Sequence, residues 1–160
     1  MNPQITVGEL AVRFLETCGV KAAFGVISIH NMPILDAFHV RQNIRFVSAR
    51  GEAGACNMAD ACARVTGTLG VVVTSTGTGA GNAAGALVEA MTAGTPMLHL
   101  TGQIDSPYLD RDLGFIHEAP KNWRCWPPLV RPRSALATRR PRSLRCAKPR
   151  ASPSPHLAGR

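Results

Sequence analysis

The sequence predicts an α/β fold, a parallel sheet with helices on both faces. Three observations carry that prediction. Short apolar runs alternate with helix-length segments between Thr6 and Thr101, and the connections are short. The run Leu69-Gly70-Val71-Val72-Val73-Thr74 is apolar and β-branched without alternation, the pattern of a strand covered on both faces. The stretch from Arg50 to Gly67 is crowded with small residues (Ala53, Gly54, Ala55, Cys56, Ala59, Ala61, Cys62, Ala63), which let another backbone approach a helix closely.

The elements follow in order. Thr6-Val7-Gly8-Glu9 is a capping box, with Thr6 as N-cap and Glu9 reaching back. Leu10, Ala11, Phe14, Leu15 and Cys18 then recur at helical spacing, and Gly19 stops the helix. Lys21 to Val26 is a short strand. His30-Asn31-Met32-Pro33 opens a second helix, with Pro33 tolerated in its first turn and Ile34, Leu35 and Phe38 as its buried stripe. Ile44 to Val47 is the next strand, and it feeds the alanine-rich helix that stops near Gly67. After the Leu69–Thr74 strand, Thr76-Gly77-Thr78-Gly79-Ala80-Gly81-Asn82 turns into one more helix reaching about Ala93. Pro96 to Thr101 is a further buried strand that ends at Gly102-Gln103.

Composition splits the chain in two. Residues 1–120 carry 7 Lys+Arg against 10 Asp+Glu, a net charge of −3. Residues 121–160 carry the other 11 basic residues, no acid and 7 of the 12 prolines. The formal charge of +8 therefore comes from the tail, and the expected folded part is mildly acidic, which argues against a nucleic-acid binder. The expected division is a domain over 1–120 and a basic, Pro/Arg-rich tail over 121–160. Five cysteines have no C-x-x-C spacing; Cys18, Cys56 and Cys62 sit in alanine-rich or apolar settings and are read as buried free thiols. The N-terminus lacks a basic region followed by an apolar one, and no apolar run is long enough to span a membrane. A cytoplasmic protein is the expectation.

Glu52 opens the alanine-rich helix at a strand-to-helix junction. It reads either as a first-turn glutamate favoured by the helix dipole or as an acid aimed at a ligand where the strands of a parallel sheet end. The loop Thr76–Asn82 places glycines and free N–H groups at a helix start, but it is neither a P-loop nor a dinucleotide fingerprint. Those glycines equally suit a tight β–α turn alone. His30, His39, His99 and His117 show no metal spacing, and His99, inside an apolar run, reads as a core or strand-end histidine. Asp105, Asp110 and Asp112 read as solvated surface, and Ser75 lacks the Gly-x-Ser-x-Gly frame of a serine hydrolase. A Rossmann-type nucleotide binder would need an acid after the second strand, where Ser48-Ala49-Arg50 offers none.

Several separated motifs keep one order and spacing: F-G-V-I-S-I-H-N, R-G-E-A-G-A-C-N-M-A-D-A-C-A-R-V-T-G, T-S-T-G-T-G-A-G-N-A-A-G-A-L and P-M-L-H-L-T-G-Q. Together they resemble the N-terminal pyrimidine-binding domain of thiamine-diphosphate enzymes of the acetolactate synthase, pyruvate oxidase and benzoylformate decarboxylase group, over roughly Gln4 to Pro120. The family's Gly-Val-Pro-Gly is here Gly25-Val26-Ile27-Ser28, its His-Glu is Gly51-Glu52, and its Ser-Gly-Pro-Gly is Thr76-Gly77-Thr78-Gly79. These departures bear on subfamily and substrate more than on cofactor. The resemblance implies thiamine diphosphate as cofactor and a 2-keto acid as substrate. It makes Glu52 the catalytic glutamate, largely desolvated among Ala and Gly, which hydrogen-bonds N1′ of the aminopyrimidine and favours the tautomer that removes the thiazolium C2 proton. It also implies that Thr76, Gly77 and Asn82 border the aminopyrimidine, that Ile27 lies on the facing loop, and that Gln103 is on the substrate side.

In the same family the diphosphate is held through Mg²⁺ by a separate domain with a Gly-Asp-Gly and a later asparagine; no Gly-Asp-Gly occurs in these 160 residues. The resemblance stops at His117-Glu118-Ala119-Pro120, so the pyrimidine domain is expected to be incomplete. The remainder has no helical or strand period and the composition of a GC-rich gene read out of frame, so a truncated or frameshifted product with a disordered tail is expected. A basic nucleic-acid-binding arm is the alternative for the tail. The implied partners are a second copy or a diphosphate-binding domain, and the chain is expected to be inactive alone. A non-catalytic interaction module, or a remnant that pairs with a full-length relative, is the competing reading.

Overall fold

The structure, a computed structural model, describes residues 5–119; the separate tail expected over 121–160 lies outside the described residues. Five helices and four strands alternate: α1 (Val7–Thr17), β1 (Ala22–Gly25), α2 (Met32–Arg41), β2 (Arg45–Ser48), α3 (Glu52–Thr66), β3 (Gly70–Thr74), α4 (Thr78–Asn82), α5 (Ala84–Thr92) and β4 (Met97–Thr101). A 3₁₀ turn follows at Ser106–Tyr108. All strand pairs are parallel, in the order β2-β1-β3-β4.

Helices cover both faces, as the uninterrupted apolar run in β3 requires. Val71 and Val73 point into a core with Val12 and Leu15 of α1 and Ala37 and Phe38 of α2. Val72 points the other way, against Ala55, Cys56 and Ala59 of α3 and Ala83 and Ala86 beside α5. All three valines are fully buried, which is worth about 1.5–3 kcal/mol each in apolar area. The alanines on α3 let the helix lie close on β3, and Gly67, at φ 67°, ends it as expected.

Three expectations need correcting. The helix expected from Thr76 to about Ala93 is two, because the five-residue α4 holds Gly79 and Gly81, poor helix formers, and the chain turns at Ala83 through a 3.2 Å bond to the Ala80 carbonyl before α5 begins. Only half of the capping box forms. Thr6 Oγ1 accepts from the Glu9 N–H at 3.1 Å, while the Glu9 carboxylate takes Arg13 at 2.5 Å and lies 3.9 Å from Arg41. Cys56 is a buried free thiol and Cys62 a half-buried one. Cys18, by contrast, is disulfide-bonded; it caps α1 and packs partly buried against the core.

Candidate active site

The strand order puts β1 beside β3, so the loops leaving their C-terminal ends meet, at the position where an open parallel sheet collects ligands. Ser28 Oγ, after β1, lies 2.8 Å from Ser75 Oγ, after β3. The loop after β1 is held by Asn31, fully buried, whose Nδ2 donates to the Val26 carbonyl at 2.9 Å and whose Oδ1 accepts from the Ser28 N–H at 3.0 Å. Asn31 thus fixes the loop over residues 26–28.

Glu52 is the first residue of α3, and the N-cap Gly51 has no side chain to compete for the helix start. Its carboxylate turns toward the β3–α4 loop. Asn82 Nδ2 donates to Oε2 at 3.3 Å, and Gly79 packs against Oε1. A Cβ on Gly79 would stand 2.8 Å from Glu52 Oε1 and 2.8 Å from the Ser75 Cβ, so only glycine lets the turn come this close. The carboxylate is half-buried rather than largely desolvated, because the neighbouring Ala53 and Gly54 face solvent.

The remaining expected residues fall around this pair. Thr76 is fully buried, and its Oγ1 lies 3.4 Å from Gln103 Oε1, which also accepts from the Ile104 N–H at 2.9 Å. Gly77 has φ 56°, and the His117 carbonyl fills the space where a Cβ would stand. Ile27 projects from the loop after β1 and is 60% exposed. Glu52 and Asn82, and separately Thr76 and Gln103, are therefore brought together. Ser28, His30, Ser75, Gly79 and His117 join them at the same sheet end. The sequence alone assigned none of these five to the site: Ser75, His30 and His117 read as residues without a serine-hydrolase or metal pattern, Gly79 as part of the turn, and Ser28 only as a place in the first motif.

Two titratable groups lie just outside the site. His99 Nε2 is 2.7 Å from Thr74 Oγ1 at the end of β3, and burial pushes this imidazole down to about 4. Burial, with Asp60 adding to it, pushes the Cys56 thiol up to about 11, which makes it inert. Also on α3, Arg64 pairs with the buried Asp60 through two bonds of 2.9 and 2.6 Å and holds that carboxyl below its ordinary value. Among the described residues no three His, Cys, Asp or Glu side chains gather to hold a metal.

The family described as thiamine pyrophosphate enzyme, N-terminal TPP binding domain, matches residues 5–123. The chain belongs to this family. Its curated relatives include the probable 2-ketoarginine decarboxylase of Pseudomonas aeruginosa, 36% identical over 120 residues, 74% of this chain and 21% of the relative. The acetolactate synthase large subunit of Lactococcus lactis is 34% identical over 104 residues, 65% of this chain and 18% of its own length. The isozyme 3 large subunit of acetolactate synthase from Escherichia coli is 38% identical over 104 residues, with the same shares. The chain thus spans about a fifth of the length of these relatives. The parallel sheet and its flanking helices agree with the family domain. Among the described residues no helix is long and apolar enough to cross a membrane.

The Glu52 carboxylate has one oxygen held by the Asn82 amide and the other packed against Gly79.

Proposed function

We propose that this chain supplies the aminopyrimidine side of a thiamine diphosphate site serving decarboxylation or carboligation of 2-keto acids, a lyase or transferase chemistry. The observation that carries the reading is the Glu52 carboxylate, oriented by Asn82 and set against Gly79 where the loops after the strands meet. When bound, thiamine diphosphate supplies a nucleophilic carbon and an electron sink for the carboxylate-losing carbon. Glu52 shares a proton with N1′ of the aminopyrimidine, and Asn82 keeps the carboxylate turned toward it. Thr76 and Gly77 form the wall beside the ring, and Ile27 offers an apolar surface from the facing loop. Gln103 stands on the substrate side. With its oxygen engaged by the Ile104 N–H, its amide nitrogen is the group left to donate.

The diphosphate and its Mg²⁺ are assigned in this reading to a diphosphate-binding domain or a second chain, so a homodimer or a domain pair is the working unit. The chain by itself is then inactive, and the cytoplasm is its place of action. The test is a graft of residues 5–119 in place of the matching segment of the Lactococcus lactis acetolactate synthase. Pyruvate turnover should survive the graft, and Glu52→Gln in it should lower kcat at least about a hundredfold, the scale of a lost acid–base group. An active graft indifferent to Glu52→Gln would leave Glu52 as a helix-start residue only.

A further inference from the structure

We propose that the outward side of α1 is a self-association surface, on which a second copy of this chain docks with its own α1 antiparallel, about a two-fold axis. The surface is separate from the Glu52 site and does not rest on the thiamine diphosphate reading. α1 is apolar on two sides. Gly8, Val12 and Leu15 are its buried side, and the last two join the core under β3. Val7, Leu10 and Phe14 are also apolar, yet they are 85, 61 and 41% exposed. They recur at i, i+3 and i+7 and so form one stripe. Leu10 is two residues from both Gly8 and Val12, about 200° round the helix, so the stripe turns away from the core.

The helix that carries this stripe is firmly seated. Gly8 admits the Pro33 carbonyl of α2, and Arg41 of α2 holds Glu16 at 2.5 Å and lies 3.9 Å from Glu9. A rigid helix can present an apolar stripe without first paying to order it. One edge of the stripe is charged with both signs, Glu9 and, one turn on, Arg13, which bond to each other at 2.5 Å. Both are partly exposed and can meet groups from outside.

Those two charges decide the occupant. When two identical helices pack antiparallel about a two-fold axis, the same edge of each faces the other. With the axis between Leu10 and Ala11, Val7 comes level with the partner's Phe14. Glu9 then stands within about 1.5 Å of the level of the partner's Arg13, and the relation repeats on the other side of the axis. At the usual helix spacing of about 8–10 Å the two pairs are within reach. A parallel pairing would instead set Glu9 beside the partner's Glu9 and Arg13 beside the partner's Arg13. Residues 121–160, with 11 basic residues and no acid, could answer Glu9 but not Arg13. A second copy satisfies both signs and covers the stripe with an equal one. The six apolar side chains involved make a small interface, so the dimer forms at concentrations on the order of 100 µM and falls apart on dilution.

The test is sedimentation equilibrium of the full 160-residue chain over roughly 5–500 µM, where the mass should rise from one chain to two. Leu10→Glu should weaken association at least about tenfold while circular dichroism and the urea midpoint stay put, because Leu10 lies outside the core. Arg13→Glu brings two acids together across the axis, and Glu9→Lys brings two bases together. Each alone should weaken the dimer at least about threefold. An equimolar mixture of the two should associate again, because every introduced charge then meets its opposite. That recovery needs both variants folded and the helices antiparallel, so neither misfolding nor a different contact reproduces it. A chain that stays monomeric over the whole range would overturn the proposal. So would a dimer indifferent to Leu10→Glu, as a pairing at the Glu52 end of the sheet would be, or a mixture no tighter than its components.

Discussion

Acidification should unfold this domain through His99. In the folded chain the imidazole is packed into β4 with Nε2 on Thr74 Oγ1, and burial lowers it from 6.5 to about 4. The folded state then binds fewer protons than the unfolded state between these values, so stability falls as the pH drops through that window. Above 6.5 both states are neutral at this position and the contribution is complete. At about 1.4 kcal/mol per pH unit, the interval converts to about 3 kcal/mol lost by pH 4, an upper figure because part of the ring remains near solvent. Urea denaturation from pH 7 to pH 4.5, read by circular dichroism, measures it. The control is His99→Leu: Thr74 Oγ1 still has the Ser75 carbonyl at 3.0 Å, so no hydroxyl is orphaned. The Glu16 and Asp60 carboxyls, held low by Arg41 and Arg64, lose their contribution only below the ordinary carboxylate range, beyond the acid end of the scan. A flat profile between pH 6.5 and 4.5, or the same slope in His99→Leu, would refute the reasoning.

Further outcomes follow from single contacts. Gly79→Ala should cost about 1–3 kcal/mol and displace the Glu52 carboxylate, seen as a shift of the Asn82 side-chain amide resonance, because the new methyl stands 2.8 Å from Oε1. Asn31→Ala should cost about 2–3 kcal/mol in urea titrations, since it removes both bonds that hold residues 26–28 and leaves buried backbone groups unpaired. In the native chain a thiol reagent should modify Cys62 well before Cys56, whose thiol is pushed up to about 11 by burial; mass mapping after a short exposure separates them. Pyruvate decarboxylation by the unassisted chain should be undetectable even with thiamine diphosphate and Mg²⁺ added, and measurable turnover would mean that the diphosphate is held within these 160 residues.

Much of the fold was legible because its signals are local or periodic. The β3 valines announced a strand buried on both faces, and Val71, Val72 and Val73 divide between two cores accordingly. The alanines of α3 announced close packing, and they provide it. What the sequence hid depends on neighbours brought from far along the chain. Ser28 and Ser75 are unremarkable until the strand order sets β1 beside β3. His30 and His117 are 87 positions apart and share no spacing rule, so a search for metal motifs passed over them. The split between α4 and α5 was concealed by a long alanine-rich run in which two glycines weigh more than the average. Glu9 shows the limit of a motif: the capping pattern was present, but Arg13 and Arg41 compete for its carboxylate.

The central claim is that the Glu52 carboxylate acts on the aminopyrimidine. The measurement that addresses it without substrate is exchange of the C2 proton of thiamine diphosphate bound to the grafted enzyme, followed by NMR after quenching in acid. Glu52→Gln keeps size and can still meet Asn82, but it cannot share a proton with N1′. Exchange should slow at least about a hundredfold while cofactor affinity changes far less, since the proposal assigns the diphosphate contacts to another domain of the grafted enzyme. Exchange as fast in Glu52→Gln as in the parent would contradict the claim.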